Sequence, residues 1–470
     1  MTEVLATDPV RSLVDAEPVP FWLDDPARPE PRPALAGEQT CDLLVVGGGF
    51  CGLWTALLAT ERTPGRDVVL VEAHETGWAA SGRNGGFCEA SLTHGFANGL
   101  ARWPGELAEL DRLGLANLDE IEAALARYGI DCDFRRTGAI NVATRPHQVA
   151  ELRESAHTAA ELGAGLEFLD AEQTRAEVHS PTYLAGLRDR RGVALVNPAR
   201  LAWGLREACL RAGVRIFERT TATGLEPRRT DVLVATDYGQ VAARYVVLAT
   251  NAFPSLVRRV RAYIVPVYDY VLVTEPLSEQ QLRSIGWSSR CGLADAGNQF
   301  HYYRLTEDNR ILWGGYDAIY HYGARLSAEL DQRPATFRLL AANFFETFPQ
   351  LHGLRFTHRW GGAIDTCSRF SAFYGTAAGG RIAYALGFTG LGVGATRFAA
   401  EVMLDRLAGQ RTERTELAMV RSKPMPFPPE PLRWLGIELT RRSLARADRN
   451  GGRRNLWLRG MDALGLGFDS

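Results

Sequence analysis

The sequence predicts an α/β protein, α+β overall. A Rossmann-like nucleotide-binding domain is assembled from discontinuous segments, and a second domain built on an antiparallel sheet is inserted into it. Three observations predict this. Residues 41–72 form a complete βαβ unit whose glycines stand at G-x-G-x-x-G spacing. Residues 381–409 repeat the pattern of strand, glycine loop and helix. Between the two, strand–helix alternation gives way to long amphipathic helices and alternating strands, so residues 91–190 and 262–358 read as insertions. At 470 residues the chain exceeds one usual domain and can bury a large core.

The first unit carries the clearest chemistry. Residues 42–46 are a short apolar run suited to a strand buried on both faces. Gly47, Gly49 and Gly52 follow, then a helix through 54–60 that Pro64-Gly65 ends. Residues 68–71 are a second buried strand, closed by Glu72 twenty positions after Gly52. Gly47 permits the tight turn, Gly49 lets backbone approach a pyrophosphate, and Gly52 lets helix and strand pack closely. The helix N-terminus offers unpaired N–H groups and a positive dipole end to phosphate. Glu72 falls where a carboxylate accepts hydrogen bonds from an adenosine ribose. The unit implies an adenine dinucleotide and leaves open which one.

Composition excludes several other classes. A net charge of −2 gives no global basic field for nucleic acid. No apolar run reaches about 18 residues, so no integral membrane segment is expected, and residues 1–20 lack the basic-then-apolar pattern of a signal peptide. The cysteines at 41, 51, 88, 132, 209, 291 and 367 form no C-x-x-C pair and have no histidines at zinc spacing, so no metal site is expected. Free thiols in a reducing cytoplasm are the simplest reading.

The remaining elements follow in order. Residues 1–40 are polar and Pro-rich, with Phe21-Trp22 as the aromatic pair. Two readings stand side by side, a disordered tail and an arm pinned by Trp22. After Glu72 comes a dense loop, Ala80, Ser81, Gly82, Arg83, Asn84, Gly85 and Gly86, which the glycines exclude from being a helix or a central strand. Its N–H groups can converge on a ligand, and Arg83 can meet a phosphate or a carboxylate. Residues 106–128 and 146–162 read as amphipathic helices, and 134–144 as strand. Asn197-Pro198 starts a helix that Gly213 ends. Residues 214–217 and 241–249 return to buried strands, and Ala249-Thr250 closes the second. Residues 263–274 alternate as a long strand, 300–305 and 310–313 as a hairpin, and 334–348 as a helix. Trp360-Gly361-Gly362 opens the last return, and the loop from Gly387 runs into a second helix N-terminus suited to an anion. Residues 411–470 are arginine-rich and read as a solvated extension packing one apolar stripe, with Trp434, Leu435, Ile437 and Leu439 as possible anchors.

The order G-G-G-x-x-G, A-S-G-R-N-G-G, N-P-x-x-L, V-L-A-T-N-A, W-x-G and G-F-T-G-x-G resembles the FAD-dependent D-amino-acid oxidase superfamily. That superfamily includes glycine, sarcosine and D-amino acid oxidoreductases. The likeness runs from about residue 40 to 460 and extends to CDFRRTGAINVA, YYRLTEDNRILWGG and FPQLHGLRFTHRWGG. It implies FAD rather than nicotinamide. Gly47, Gly49, Gly52 and Glu72 would hold the ADP half. Ala80, Ser81, Arg83, Asn84, Gly85 and Gly86 would line pyrophosphate and flavin. Ala249 and Thr250 match a second contact strand, and Gly361, Gly387, Thr389, Gly390 and Leu391 would sit at the flavin ring. The organisation implied is an N-terminal arm (1–40), an FAD-binding domain (41–90, 191–261 and 359–410), a substrate domain (91–190 and 262–358) and a C-terminal extension (411–470). Leu391 stands where many relatives carry histidine. Cys367 falls a few positions from the cysteine that binds flavin covalently in sarcosine oxidases, so non-covalent FAD is expected.

The chemistry implied is oxidation of a C–N bond in a primary or secondary amine, a modified polyamine or an amino acid. Hydride leaves the carbon alpha to nitrogen for flavin N5, and the imine hydrolyses. The amine must be neutral to give hydride, and no residue in the sequence identifies itself as the base. Tyr302, Tyr303 and Arg304 are the substrate-side candidates, because they begin the hairpin. Strand alternation turns one of the two tyrosines into the core. Trp360 is a candidate to pack on the flavin and His94 to approach it, core and surface positions being the competing readings. The partners expected are a small-molecule amine and oxygen or another electron acceptor. Two alternatives remain at this point, an NAD-linked dehydrogenase on the same βαβ unit and a non-enzymatic FAD-bound scaffold.

Overall fold

A computed structural model describes residues 9–463 and residue 465. The expectations for the first eight residues of the arm, and for residues 464 and 466–470 of the extension, lie outside the described residues.

Two large sheets organise the chain. The first has eight strands. Its parallel centre runs Ile382–Leu386, Gly239–Leu248, Gly37–Val46, Val68–Val71 and Arg215–Phe217. Phe373–Ala377, Ala222–Pro227 and Val232–Thr236 add antiparallel strands. The apolar runs are buried on both faces, as a parallel sheet requires. Leu43, Val45, Val68 and Leu70 join one core, while Leu44, Val46, Val69 and Val71 join another on the opposite face. The helices Phe50–Arg62, Pro198–Arg211 and Gly392–Leu407 cover the first face.

The second sheet has nine strands. Its order is Ile319–Tyr320, Val265–Thr274, Ile311–Gly315, His301–Leu305, Gly292–Asp295, Ala139–Ala143, Ala185–Asp189 and Leu166–Leu169, with Phe356–Thr366 also on Val265–Thr274. All its pairs are antiparallel except Gly292–Asp295 with Ala139–Ala143, which is parallel. That pair is where the two inserted stretches meet, so no hairpin dictates its direction.

Four expectations are corrected. The helix Leu107–Tyr128, assigned to the insertion, buries Leu110, Leu118, Ile121 and Leu125 in the core of the first sheet. Its stripe needed an apolar partner, and the helices around Phe50–Arg62 supply one. The boundary at 359 falls inside the strand Phe356–Thr366, which pairs with Val265–Thr274 from end to end. Gly361 is there for packing: a Cβ on it would lie 2.8 Å from the Tyr270 ring. Ala80–Arg83, read as loop, forms one helical turn held by tertiary contacts. The extension buries Leu417, Met419 and Val420 in the first core, then folds as helices Leu432–Arg449 and Leu456–Ala463, where Ala447 and Leu458 are buried while Leu435 and Leu439 stay exposed.

The described part of the arm is pinned. Trp22 is buried against Ala199, Trp203 and Trp360, and its indole N–H donates to the carbonyl of Asn84 at 2.9 Å. Trp22→Ala is expected to cost about 3 to 5 kcal/mol of stability. Trp22→Phe, which keeps most of the packing and loses the hydrogen bond, should cost about 1 kcal/mol. Chemical denaturation of the two variants measures the difference.

Candidate active site

A single cavity of about 1810 Å³ runs from the end of the first sheet across the face of the second. The first strand ends in a turn with Gly47 at φ +116°, where a Cβ would meet the Ala249 carbonyl at 2.4 Å. A Cβ on Gly52 would lie 1.9 Å from the Gly47 carbonyl. Only glycine lets this turn, the helix and the neighbouring strand come so close. Glu72 lines the cavity at the same end and accepts from the N–H groups of Gly48 (2.6 Å) and His74 (2.9 Å). Burial pushes its carboxyl up, while these donors oppose the shift.

The Ala80–Gly86 segment is fixed from several sides. Ser81 Oγ accepts from the Phe50 N–H at 2.9 Å. Asn84 donates to the carbonyls of Ala80 (2.9 Å) and Ser81 (3.0 Å) and accepts from the Gly86 N–H (2.8 Å). Trp360, buried, donates from its indole to the Arg83 carbonyl at 2.9 Å. Arg83 meets a carboxylate: it pairs with Asp331 and lies 4.7 Å over the Trp78 ring. Arg304 is buried beneath the loop and donates to the carbonyls of Gly86 (3.2 Å) and Val196 (2.7 Å). Desolvation lowers its guanidinium to about 10.

At the other wall, Asp365 Oδ2 accepts from the Gly387 N–H at 2.6 Å, and the Asp365 carbonyl accepts from the Thr389 N–H at 3.2 Å. Burial raises the Asp365 carboxyl to about 7. The loop through Gly390 and Leu391 then enters the helix Gly392–Leu407, which has no side-chain cap and presents its first N–H groups to the cavity. The Cys367 thiol donates to the Ser371 carbonyl at 3.1 Å, and burial raises its pKa. His94 lines the cavity with φ +61°, and burial pushes its imidazole down.

The structure brings most of the expected cofactor residues to the lining of this one cavity: Gly47, Gly49, Glu72, Ala80, Ser81, Arg83, Asn84, Gly85, Ala249, Thr250, Thr389, Gly390 and Leu391. Gly52, Gly86, Gly361 and Gly387 lie behind that lining and act through packing. The fit to a dinucleotide has independent support. Thr250 Oγ1 is buried beside the cavity with no hydrogen-bond partner among the described residues, a polar atom awaiting a ligand.

The substrate-side candidates divide. Tyr302 lines the cavity and donates to Asp269 Oδ2 at 2.5 Å. Tyr303 points the other way, as alternation requires. It is buried in the core of the second sheet, bonded to Tyr183 at 2.8 Å and packed on Trp313. Neither Tyr303 nor Arg304 reaches the cavity, which corrects two of the three expectations. Sequence reasoning missed a set of acids on the cavity wall: Glu89, Asp111, Asp189, Asp269 and Asp295. The available signal was a lone acid inside an apolar strand, as in YDY at 268–270 and FCE at 87–89. Burial raises Asp269 to about 6, opposed by the Tyr302 hydroxyl and the Tyr270 N–H.

Comparison with known proteins places this geometry. The model of a family described as "FAD dependent oxidoreductase" (DAO) matches residues 42–406. A curated relative, gamma-glutamylputrescine oxidoreductase of Escherichia coli (strain K12), is 34% identical over 415 residues, covering 84% of this chain and 90% of its own length. Among solved structures, glycine oxidase from Bacillus cereus ATCC 14579 superposes with a TM-score of 0.67 at 18% identity, covering 82% of this chain and 99% of its own. L-proline dehydrogenase from P. horikoshii gives 0.65 at 17%, covering 81% and 96%. Gly52→Ala tests the cradle directly. Overpacking of about 1 to 3 kcal/mol should weaken dinucleotide retention roughly tenfold or more. The ratio of visible to 280 nm absorbance after gel filtration reads it.

Proposed function

We infer the activity from one premise: the chain belongs to the DAO family of FAD-dependent oxidoreductases. It is accordingly an FAD-dependent enzyme acting on amines or amino acids, which retires the nicotinamide and scaffold alternatives. Within that class, the reading put forward is oxidation of the C–N bond of a primary or secondary amine, a polyamine derivative above all. FAD, when bound, would supply a hydride acceptor, and the resulting imine would hydrolyse in water.

The observation that carries this reading is the acidity of the cavity wall beyond the Ala80–Gly86 loop. Glu89, Asp111, Asp189, Asp269 and Asp295 line that region, and Arg191 is the cation beside Asp111. Acid side chains in a concave, partly desolvated wall raise the local concentration of a cationic amine and oppose a free carboxylate. The side chains around it orient rather than react. Tyr302 and Asp269 hold one another, and His301 Nδ1 sits 2.5 Å from Asp295 Oδ2 while stacking on Trp313 at 4.5 Å. The backbone N–H groups at the start of Gly392–Leu407 would stabilise negative charge on the reduced cofactor. The curated relative is named for a glutamylated putrescine, which supports the polyamine class.

Three finer points belong to the same reading. FAD is bound non-covalently, supported by the buried, raised Cys367 thiol, which is a poor nucleophile. The electron acceptor is oxygen or another carrier. A cytoplasmic location is supported by the seven free cysteines, and no helix among the described residues is long and apolar enough to cross a membrane.

An anaerobic screen tests the proposal. Polyamines and their acylated derivatives should bleach the flavin band near about 450 nm, ahead of N-methyl amino acids and D-amino acids. Bleaching by amino acids alone would sink the polyamine reading. On acid precipitation the yellow colour should stay in the supernatant, and colour in the pellet would refute non-covalent binding.

A further inference from the structure

We propose that Glu89 receives the ammonium group of the amine substrate on its carboxylate and takes one proton from it, leaving the neutral amine from which hydride departs. This assignment rests on the amine-oxidising reading above and supplies the base that the sequence did not reveal.

The placement comes from backbone packing. Glu89 ends the strand Phe87–Glu89, directly after the Ala80–Gly86 loop. A Cβ on Gly394, in the first turn of Gly392–Leu407, would lie 2.0 Å from the Glu89 carbonyl oxygen. The residue is therefore fixed between the two glycine-rich segments that bracket the cofactor wall. Its strand pairs with Val193–Leu195, and the Ala90 N–H donates to the Gly192 carbonyl at 2.7 Å. The side chain lies deep in the protein and is half-buried because it opens onto the cavity.

Elimination singles it out. Asp111 is exposed to solvent, and the other carboxylates on the cavity wall already have donors. Glu72 holds the N–H groups of Gly48 and His74. Asp189 Oδ1 holds those of Arg191 (2.9 Å) and Gly192 (2.8 Å). Asp269 holds the Tyr302 hydroxyl and the Tyr270 N–H (2.7 Å), Asp295 holds His301 and Tyr303, and Asp365 holds the Gly387 N–H. Asp317 accepts from Thr336 at 2.7 Å. The Glu89 carboxylate has no hydrogen bond or ion pair among the described residues. A carboxylate enclosed in protein without a donor is costly unless a ligand supplies one. An ammonium group supplies up to three.

The charges around it fit a proton acceptor. Asp189 faces it from the strand Ala185–Asp189. Asp111 on the helix Leu107–Tyr128 and Arg191 in the turn before Val193 line the same stretch. Burial first, and the negative Asp189 second, raise the Glu89 carboxyl to about 7. A base titrating near neutral pH is suited to accept a proton there. The step balances: R–CH₂–NH₃⁺ and Glu89–COO⁻ give R–CH₂–NH₂ and Glu89–COOH, with one proton moved and no electrons. An alkylammonium near about 10 makes the transfer uphill by roughly three pKa units. Removal of the neutral amine by oxidation draws it forward.

The test is the pH dependence of anaerobic flavin reduction by a bleaching primary amine, in wild type, Glu89→Gln and Glu89→Asp. In the wild type, reduction rate over substrate dissociation constant should rise as pH passes upward through about 7, because the base must be ionised. Glu89→Gln should lose about 100-fold or more and lose the rise. Glu89→Asp should keep the rise at an intermediate rate. An intact bound-flavin spectrum shows that each variant has folded. If Glu89→Gln keeps both rate and rise, the role falls while the amine-oxidising reading stands. A weaker dissociation constant with the rise unchanged makes Glu89 an anchor and overturns proton transfer. If no amine bleaches the wild type, the reading and the role fall together.

Discussion

The cofactor wall depends on one close approach. The carbonyl of Gly47 lies where a side chain at Gly52 would have to be, and the carbonyl of Ala249 lies where a side chain at Gly47 would have to be. Three backbone segments therefore meet with nothing between them. This depth lets the N-terminus of Phe50–Arg62 face the cavity instead of being held off by methyl groups. Ser81 then caps the Phe50 N–H, which carries the position of the turn on to the Ala80–Gly86 loop. Two tryptophans extend the chain of support, Trp22 through the Asn84 carbonyl and Trp360 through that of Arg83. Both carbonyls are tied down by residues more than 60 positions away in sequence, so the fold positions the loop together with the local hydrogen bonds of Asn84.

Enclosed acid is the second organising principle. Protein interiors tolerate carboxylates only with donors or a raised pKa. The cavity shows both solutions side by side. Asp365 spends its acceptor capacity on the Gly387 turn and so shapes the loop before the second helix. Asp269 and Tyr302 form a closed pair, and Asp295 joins His301 and Tyr303 into a network reaching Tyr183. These groups are structural in effect: they fix the floor on which an amine would lie. Glu89 differs in having its charge left open toward the cavity.

The nucleotide half was legible in the sequence because each signal there is local. A buried strand, three glycines, a helix and an acid lie within 32 consecutive residues, from Cys41 to Glu72, and each constrains backbone directly. The hairpin at His301–Leu305 and Ile311–Gly315 was legible for the same reason. The rest was hidden by distance. Nothing near Leu107–Tyr128 says whose core receives its stripe, since an amphipathic helix specifies a face and not a partner. Trp360-Gly361-Gly362 looked like a break because glycines punctuate chains, yet the strand continues, with the glycine making room for Tyr270. Tyr302 and Tyr303 were split correctly by alternation, which gives parity but not sign. The acid wall was missed because Glu89, Asp189, Asp269 and Asp295 come from four strands, and only the fold brings them together.

The strand order of the first sheet has a consequence for how the molecule is made. Gly239–Leu248 is bordered along its length by Gly37–Val46, and on its other side by Val232–Thr236 at residues 240–243 and by Ile382–Leu386 at residues 246–248. During synthesis the last of these partners emerges only after more than a hundred further residues, which include much of the second sheet. Until then the apolar end of the strand, residues 246–248, stands open on that side, and open edges recruit foreign strands. Pairings this remote in sequence also close slowly. A ribosome that stops before residue 382 therefore leaves a nascent chain whose central strand is unpaired on one side at residues 246–248. Such a product would be a substrate for chaperones or proteolysis, whatever the quality of the dinucleotide turn already formed at its beginning.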